Sequence, residues 1–179
     1  MLLVHSSASG NVKLSTPRSH AAHAYATLVN PPTEQAMKSH AVVFTGPNRV
    51  SFQAIDCPSP GPEDLLIELH HSWISNGTEG SFLRGERTSG DVAWRPGDPA
   101  PFPMVAGYQK VGRVLQVGAG VQGFAVGDWV FASMSKVLGM FDNEFAGHVS
   151  PSVCHQQNVQ RLPDGSNPLA FAVKSACSC

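Results

Sequence analysis

The sequence predicts a mainly β fold in which short strands are joined by glycine- and proline-rich turns. From residue 41 onward, about seven β-prone runs alternate with turn signals, and few segments favour a helix. The 17 glycines and 14 prolines suit a turn-rich β protein better than a helical one. Several short strands of this kind are typical of a small barrel or sandwich.

The first elements are a hairpin and a third strand. Strands at Ala41–Thr45 and Val50–Ile55 flank a Gly-Pro-Asn turn, which favours a hairpin. Residues 58–62, Pro-Ser-Pro-Gly-Pro, form a loop because proline cannot donate to a sheet ladder. The third strand begins in the run 65–69, and its end is open as far as Ile74.

The remaining strands follow a long irregular segment. Residues 75–106 carry glycine, proline and tryptophan without clear periodicity, and a loop this long inside a domain is usually functional. Three more strands are predicted after it, and a final one ends at a Pro-Asp-Gly turn. These four strands are Val111–Val117, Trp129–Ala132, Phe145–Val149 and Asn158–Leu162.

Gly118–Gly123 matches the dinucleotide-binding pattern G-x-G-x-x-G, but its context differs from that of a nucleotide site. The pattern needs a helix directly after its glycines, because the pyrophosphate binds at the N-terminus of that helix. Here a Gly127-Asp128 turn and the β-prone Trp129–Phe131 follow instead. We therefore interpret the motif as a turn between two strands rather than as a phosphate cradle.

Charge and composition exclude several classes of function. A net charge of −1 provides no basic surface for a nucleic acid, and no apolar run is long enough to span a membrane. The four cysteines, Cys57, Cys154, Cys177 and Cys179, lack the paired spacing of a structural zinc site. A reduced, cytoplasmic protein is the simplest interpretation.

Residues 1–36 differ in composition from the rest of the chain. They are rich in serine, alanine, histidine and threonine, and they contain no acidic residue before Glu34. We interpret them as a disordered N-terminal extension. A transit peptide for an organelle stays an alternative, because such segments are serine-rich and poor in acidic residues.

From residue 37 to residue 165, short motifs occur in the order and spacing of one known domain. These motifs are Pro60–Ile67, Gly107–Gly118, Val126–Val130 and Leu162–Gly165. They resemble the N-terminal, GroES-like domain of medium-chain dehydrogenase/reductases, the alcohol dehydrogenase superfamily. The resemblance implies a GroES-like, partly open β-barrel with few short helices, which is the catalytic domain of that superfamily.

The same resemblance implies a branch that works without zinc. Segments 75–79 and 107–113 are similar to a subgroup that includes bacteriochlorophyllide dehydrogenase-like and threonine dehydrogenase-like proteins. Zinc-dependent members carry cysteine where this chain has Asn76, and His-Glu where it has Tyr108 and Gln109. Zinc binds thiolate, imidazole and carboxylate far better than amide or phenol, so no metal site is expected.

The resemblance also implies which residues carry the chemistry. Thr78 stands where the superfamily places the hydroxyl that passes on the substrate proton, although it could merely cap a turn. Tyr108 and Gln109 could hydrogen-bond a carbonyl in place of zinc, or Tyr108 could simply pack. Glu79 stands where relatives carry an acidic residue near the metal; without metal it could anchor its loop by accepting backbone N–H bonds.

The superfamily holds NAD(P) in a second, Rossmann domain, and residues 166–179 do not begin one. We therefore expect them to be a truncated tail. The chain is then the N-terminal catalytic-domain fragment of an NAD(P)-dependent oxidoreductase. We expect this fragment to be inactive alone and to bind no cofactor by itself. In the full-length relative, Asn76 and Gly77 would contact NAD(P). That relative would act on a small molecule and could form a homo-oligomer. The alternative is a non-catalytic GroES-like binding or assembly module.

Overall fold

Strands dominate the computed structural model, which describes residues 36–141 and 146–172. Its helical segments are α1 (Thr78–Leu83), α2 (Pro168–Phe171) and a single 3-10 turn at Gln156–Asn158. The strands are β1 (Met37–Gly46), β2 (Arg49–Cys57), β3 (Asp64–Ser72), β4 (Arg87–Ser89), β5 (Val92–Ala93), β6 (Met104–Val105), β7 (Lys110–Val117), β8 (Trp129–Ala132), β9 (Val149–Ser150), β10 (Ser152–His155) and β11 (Val159–Arg161). The mainly β prediction is confirmed.

The first sheet is built around β1. Its order is β2-β1-β6, and β9 also pairs with β1. β1 and β2 form an antiparallel hairpin that runs from the pair of Met37 with Cys57 to the pair of Gly46 with Arg49. Asn48 in the turn has φ 56°, a left-handed conformation that asparagine tolerates better than most residues. The predicted hairpin is present, and its strands are longer than predicted.

The second sheet has the order β10-β3-β7-β8-β11, and all its pairings are antiparallel. The register between β3 and β7 shifts twice, between Leu66 and Ile67 and between Leu69 and His71. Such irregularities bend a strand and increase its twist, as closure toward a barrel requires. Gly112 permits the close approach, because a Cβ there would lie 2.1 Å from the Glu68 carbonyl oxygen.

Each sheet contributes its own buried apolar cluster. On the first sheet the cluster includes Val43, Ile55 and Val149, and on the second it includes Leu65 and Ile67. A smaller cluster beside the first sheet has Phe44, Met104 and Ala106 at its centre, and the α1 side chains Phe82 and Leu83 pack against it. This contact holds the short helix against the first sheet and thereby fixes the segment in which most of the predicted site residues occur.

The Gly118–Gly123 segment connects two strands. β7 ends at Val117, β8 begins at Trp129, and no helix lies between them. Its amides bond to the start of β3 and the loop before it: the Gly118 N–H donates to the Asp64 carbonyl at 2.9 Å and the Gly120 N–H to the Pro62 carbonyl at 2.8 Å. A Cβ at Gly118 would lie 2.3 Å from the Pro62 carbonyl oxygen, so the glycine serves packing of the chain on itself. The strand–turn–strand interpretation is confirmed.

Two predicted elements were wrong. The segment 75–106 contains α1, β4, β5 and β6 rather than an irregular loop. In the strand predicted from Phe145, only β9, which begins at Val149, is a strand among the described residues. Both errors concern elements too short to produce a sustained periodic pattern. The third strand, whose predicted end was open as far as Ile74, ends at Ser72.

Some predictions fall wholly or partly outside the described residues. They concern the extension 1–36, of which only Ala36 is described, the start of the strand at Phe145, and residues 173–179 of the tail. Within the described part of the tail, α2 is capped by the Asn167 side chain, which accepts the Leu169 N–H. No helix of the described residues is long and apolar enough to cross a membrane.

Candidate functional site

The segment 75–79 is organised around the first turn of α1. The Glu79 N–H donates to the Ser75 carbonyl at 2.9 Å, and the Glu79 side chain returns the contact by accepting the Ser75 N–H at 3.0 Å. Thr78, the first helical residue, is half-buried, and its carbonyl accepts the Ser81 hydroxyl at 2.7 Å. Glu79 therefore anchors this loop through one oxygen and keeps the other free for a second contact.

That second contact is with His148, a residue that sequence reasoning missed. Glu79 Oε2 lies 2.7 Å from His148 Nε2. Both side chains are almost fully buried, with 4% of Glu79 and 7% of His148 exposed to solvent. A buried carboxylate is costly unless it is hydrogen-bonded, and Glu79 has the Ser75 N–H and the His148 ring as hydrogen-bond partners. The two residues form the most enclosed His–carboxylate contact among the described ion pairs.

The His148 ring is held in place by backbone packing around Gly107. Gly107 has φ 91°, and a Cβ there would lie 2.7 Å from His148 Nε2, so only glycine leaves room for the ring. The N–H groups of Gly147 and His148 both donate to the Ala106 carbonyl at 3.0 Å. The His148 carbonyl accepts the Val42 N–H at 3.0 Å, which ties the residue to β1.

Tyr108 and Gln109 follow Gly107 but have different environments. Tyr108 is half-buried, and its backbone packs so closely on Gly147 that a Cβ at Gly147 would lie 2.6 Å from the Tyr108 nitrogen. Gln109 is buried, and its backbone carbonyl accepts the Trp73 N–H at 3.2 Å. Its side-chain Oε1 is the one fully buried polar side-chain atom of the described residues without a hydrogen-bond partner.

A cleft of about 320 Å³ brings some of these residues together. Asn76, Glu79 and His148 form its polar wall. A second cleft of about 220 Å³ adjoins it and shares Val42, Ile74 and His148. Gly77, Thr78, Tyr108 and Gln109 do not line either cleft. The apolar wall of the larger cleft consists of Val42, Phe44, Val50, Ile74 and Leu83.

Comparison with known proteins assigns the chain to a family. Residues 61–164 match the alcohol dehydrogenase GroES-like domain. The chain belongs to this family. The expectation drawn from the order of the sequence motifs is therefore confirmed, and the GroES-like domain is the frame in which the cleft lies.

Two relatives are 2-desacetyl-2-hydroxyethyl bacteriochlorophyllide A dehydrogenases. The protein from Cereibacter sphaeroides is 33% identical over 106 residues, covering 59% of this chain and 31% of the relative. The protein from Rhodobacter capsulatus is 34% identical over 133 residues, covering 74% of this chain and 40% of the relative. This chain thus aligns with less than half of the length of these curated relatives.

Solved structures agree on the fold. The CAD of Helicobacter pylori, determined in complex with NADP(H), superimposes with a TM-score of 0.60 at 17% identity. The match covers 77% of this chain and 45% of that protein. At this level of identity the likeness establishes the shared GroES-like architecture and nothing about the ligand of this chain.

The cleft offers few side chains that suit a zinc ion. Asn76 on its wall offers only an amide, which binds zinc far more weakly than thiolate, imidazole or carboxylate does. Glu79 and His148 are engaged with each other. Residues 36–141 and 146–172 contain no group of three or more His, Cys, Asp or Glu side chains placed to hold a metal ion.

The described residues also do not form a cradle for a dinucleotide. Every strand pairing in them is antiparallel, so no βαβ unit is present in this part of the chain. The glycines of the 118–123 loop approach the chain's own backbone, and α1 has only six residues. A dinucleotide site of the Rossmann kind needs a longer helix with its N-terminus open to the phosphates.

Lys110 forms a second buried polar centre that sequence reasoning missed. Its fully buried ammonium donates to the Ser135 hydroxyl, to the Ala146 carbonyl at 3.0 Å and to the Met134 carbonyl at 3.4 Å. Burial lowers the pKa of Lys110 and raises the pKa of the nearby Cys57 thiol. All three ammonium donors have protein acceptors, so we assign Lys110 to stability rather than to chemistry.

Proposed function

We propose that residues 37–165 of this chain form the substrate-binding, catalytic domain of an alcohol dehydrogenase-like oxidoreductase that uses NAD(P) and no zinc. The cleft beside α1 carries this proposal, because Asn76, Glu79 and His148 converge there on otherwise apolar walls. An apolar cleft with a few convergent polar groups is the usual form of a small-molecule site. The family and the dehydrogenase relatives support the same chemistry.

Three residues are proposed to act on the substrate, and a fourth, Glu79, is proposed to position one of them. The half-buried Thr78 hydroxyl, at the start of α1, can accept and donate a proton and would link an alcohol to solvent. Tyr108 and Gln109 would hydrogen-bond the substrate oxygen in place of a metal. The unpartnered Gln109 Oε1 would accept the O–H of an alcohol, because a buried acceptor costs about 1–3 kcal/mol until a donor reaches it, while a carbonyl oxygen would accept from the Gln109 amide or the Tyr108 hydroxyl. Glu79 would hold the loop that carries Thr78.

The hydride acceptor is proposed to be NAD(P), with Asn76 and Gly77 facing its nicotinamide end. The Helicobacter relative was solved with NADP(H), and hydride transfer requires such a cofactor. The described residues offer no dinucleotide cradle, so the main cofactor contacts would come from another part of a whole protein. On this view the chain alone is inactive, and we propose a cytoplasmic location for it.

Cofactor titration and metal analysis of the purified chain test the cofactor and zinc parts of this proposal. We expect no change in NADH or NADPH fluorescence at micromolar chain concentrations, and zinc far below one equivalent by elemental analysis. Micromolar NADH binding would instead revive the 118–123 loop as a phosphate site. Stoichiometric zinc would show that the amide at Asn76 and the pair Tyr108-Gln109 do not prevent metal binding.

Turnover by the whole protein that contains this domain tests the oxidoreductase activity itself. We expect it to reduce NAD⁺ or NADP⁺ in the presence of apolar alcohols. The variants Thr78→Val and Gln109→Leu should lower kcat, because each removes a group proposed to contact the reacting oxygen while keeping a similar shape. Full activity of both variants would exclude these residues from the chemistry.

A non-catalytic binding or assembly module is the second candidate, and the exposed apolar side chains near the cleft favour it. Phe52, Ile74 and Val50 are exposed to 73%, 64% and 56%. A cluster of large exposed apolar side chains commonly marks a surface that another protein covers. Light scattering tests this candidate: a defined oligomer that Phe52→Ser dissolves would support it, and a monomer in both forms would argue against self-assembly.

A further inference from the structure

We propose that His148 binds the oxygen of a ligand in the cleft and that Glu79 is the positioning residue that orients the ring. The ligand is an apolar molecule that carries a single hydroxyl or carbonyl group. This inference rests on the proposed function, which it deepens by naming the residue of the cleft wall that would contact the ligand oxygen. No sequence motif pointed to His148; the assignment comes from its position in the fold.

The first step is the chain of contacts that orients the ring. The Ser75 N–H holds one Glu79 oxygen at 3.0 Å, and the other Glu79 oxygen lies 2.7 Å from His148 Nε2. A carboxylate that binds one ring nitrogen fixes the tautomer, so Nε2 carries the hydrogen. Nδ1 is then the nitrogen that a ligand hydroxyl would meet, as a hydrogen-bond acceptor.

The second step is that the ring cannot easily turn away. Gly107 leaves no space for even a Cβ beside Nε2, and the backbone of His148 is bonded to Ala106 and to Val42. A side chain whose position is fixed in this way pays little entropy when it binds a ligand. This rigidity distinguishes His148 from His40, an exposed histidine on the neighbouring strand that stacks on Phe52.

The third step is the location of the ring on the walls of both clefts. His148 and the apolar side chains Val42 and Ile74 are the residues that the two clefts share. The titratable side chains along both clefts are His40, Glu79 and His148. Apart from Asn76, Glu79 and His148, the side chains that line the larger cleft are apolar. The walls therefore select an apolar body, and His148 selects one hydrogen-bonding oxygen on it.

The chemistry of the pair suits an alcohol or a ketone. A neutral ring accepts the hydroxyl proton in a hydrogen bond at Nδ1. If that proton moves, the O–H bond breaks, an Nδ1–H bond forms, and the Glu79 carboxylate stabilises the resulting imidazolium. The protonated ring can in turn donate from Nδ1 to a carbonyl oxygen. One side chain thus serves both the alcohol and the carbonyl form of a ligand.

A titration of the full chain labelled with ¹⁵N in its histidines tests the proposal directly. The probes are benzyl alcohol and its oxygen-free analogue toluene. We expect benzyl alcohol to shift the Nδ1 resonance of His148 and toluene to leave that resonance nearly unchanged. The wild-type chain suffices for this measurement, so a variant that fails to fold cannot obscure the result. An unshifted Nδ1 at saturating benzyl alcohol would overturn the proposal.

Variants then separate positioning from packing. We expect His148→Gln to weaken benzyl alcohol binding about five- to tenfold, the usual strength of one hydrogen bond, and to change toluene binding little. Glu79→Gln should alter the tautomer signature of the ring in ¹⁵N spectra. His155→Gln is the matched control, because it removes a histidine paired with Glu63 away from both clefts. Equal losses for both probes in His148→Gln would reduce the site to an apolar cleft.

These experiments distinguish a failure of the His148 assignment from a failure of the oxidoreductase proposal. If benzyl alcohol contacts His148 but the whole protein shows no NAD(P)-linked turnover, the oxidoreductase proposal fails and the binding site stands. If turnover is present and His148→Gln leaves kcat and KM for benzyl alcohol unchanged, the assignment of His148 fails and the oxidoreductase proposal stands.

Discussion

The pair Glu79–His148 and the pair Glu63–His155 contain the same two residue types in very different surroundings. In the first pair the side chains are 4% and 7% exposed and 2.7 Å apart. In the second, Glu63 is 64% exposed, His155 is 28% exposed, and the distance is 3.1 Å. Solvent screens the Glu63–His155 contact and competes for its hydrogen bonds. The Glu79–His148 contact is shielded from solvent and lies at the wall of a cleft.

This difference teaches how to separate a structural contact from a candidate site. The outer pair joins the loop before β3 to the end of β10 and lies away from the two clefts next to α1. The inner pair needs a glycine with positive φ, a helix turn and three backbone hydrogen bonds to hold it. These contacts fix the His148 ring at the wall of the cleft, where we propose that it meets a ligand.

Removing the glutamate from each pair should give the largest difference between the two pairs in the free energy of unfolding. Glu79→Ala leaves His148 buried without its partner and frees the Ser75 N–H, so we expect a loss of about 3–5 kcal/mol in the free energy of unfolding. Glu63→Ala should cost less than about 1 kcal/mol. Urea unfolding of both variants measures the two values. Similar losses in the two variants would remove the distinction between the pairs.

Gly107→Ala tests whether the inner pair depends on its tight packing. The methyl group meets the His148 ring and the backbone φ of 91° is strained for alanine, so we expect a loss of about 2–4 kcal/mol. Gly123→Ala is the control, because Gly123 has φ 80° but no heavy atom within 4 Å of the added Cβ. It should show the strain alone, about 1–2 kcal/mol. Equal losses in urea unfolding would mean that the ring moves aside freely.

Lys110 extends the comparison to a fully buried cation that lines neither of the clefts beside α1. Burial holds its pKa below the ordinary lysine value, so between the folded and unfolded pKa values the unfolded state binds more protons. The contribution of Lys110 to stability therefore rises with pH toward about 10.4 and is lost as pH falls through its folded pKa.

The variant Lys110→Met should remove that pH dependence. Near neutral pH we expect it to lose about 1–3 kcal/mol, because the carbonyls of Met134 and Ala146 lose a donor. The advantage of the wild type should grow as pH rises, which unfolding curves at several pH values measure. Lys38→Met, at a lysine 73% exposed, is the matched control and should leave the pH profile unchanged. Parallel pH profiles of wild type and Lys110→Met would contradict the assignment.

The sequence predicted the frame of the molecule well, and it predicted the candidate site only in part. Alternating apolar residues and a Gly-Pro-Asn turn fixed the β1–β2 hairpin, and a missing helix after Gly118–Gly123 identified a turn. Both are local signals. His148 could not be found in this way, because Glu79 lies 69 positions away and only the fold brings the two together. The local sequence offered one signal for His148: it is a polar residue that follows Gly147 and directly precedes Val149, the first residue of β9.

The short helix α1 shows a second limit of sequence reasoning. Its six residues span fewer than two turns, too few for a helical hydrophobic period to appear. Packing of Phe82 and Leu83 against the cluster around Phe44 and Met104 stabilises it instead. Lys110 shows the same limit for charge, because a lysine at the start of a strand reads as exposed unless the acceptors at Ser135 and Ala146 are known to surround it.

The smallest expected effect concerns the outer pair and is measured by a double-mutant cycle on Glu63 and His155. With Glu63 64% exposed, we expect a coupling of less than about 0.5–1 kcal/mol that falls further as salt screens the charges. Unfolding of Glu63→Gln, His155→Gln and the double variant at low and high salt gives this value. The same cycle on Glu79 and His148 should yield a coupling that salt changes little, because solvent ions cannot reach a buried pair. A salt-sensitive inner pair would mean that water enters the cleft as far as Glu79, and the ring would then lose the dry, fixed setting that makes it a candidate to bind a ligand.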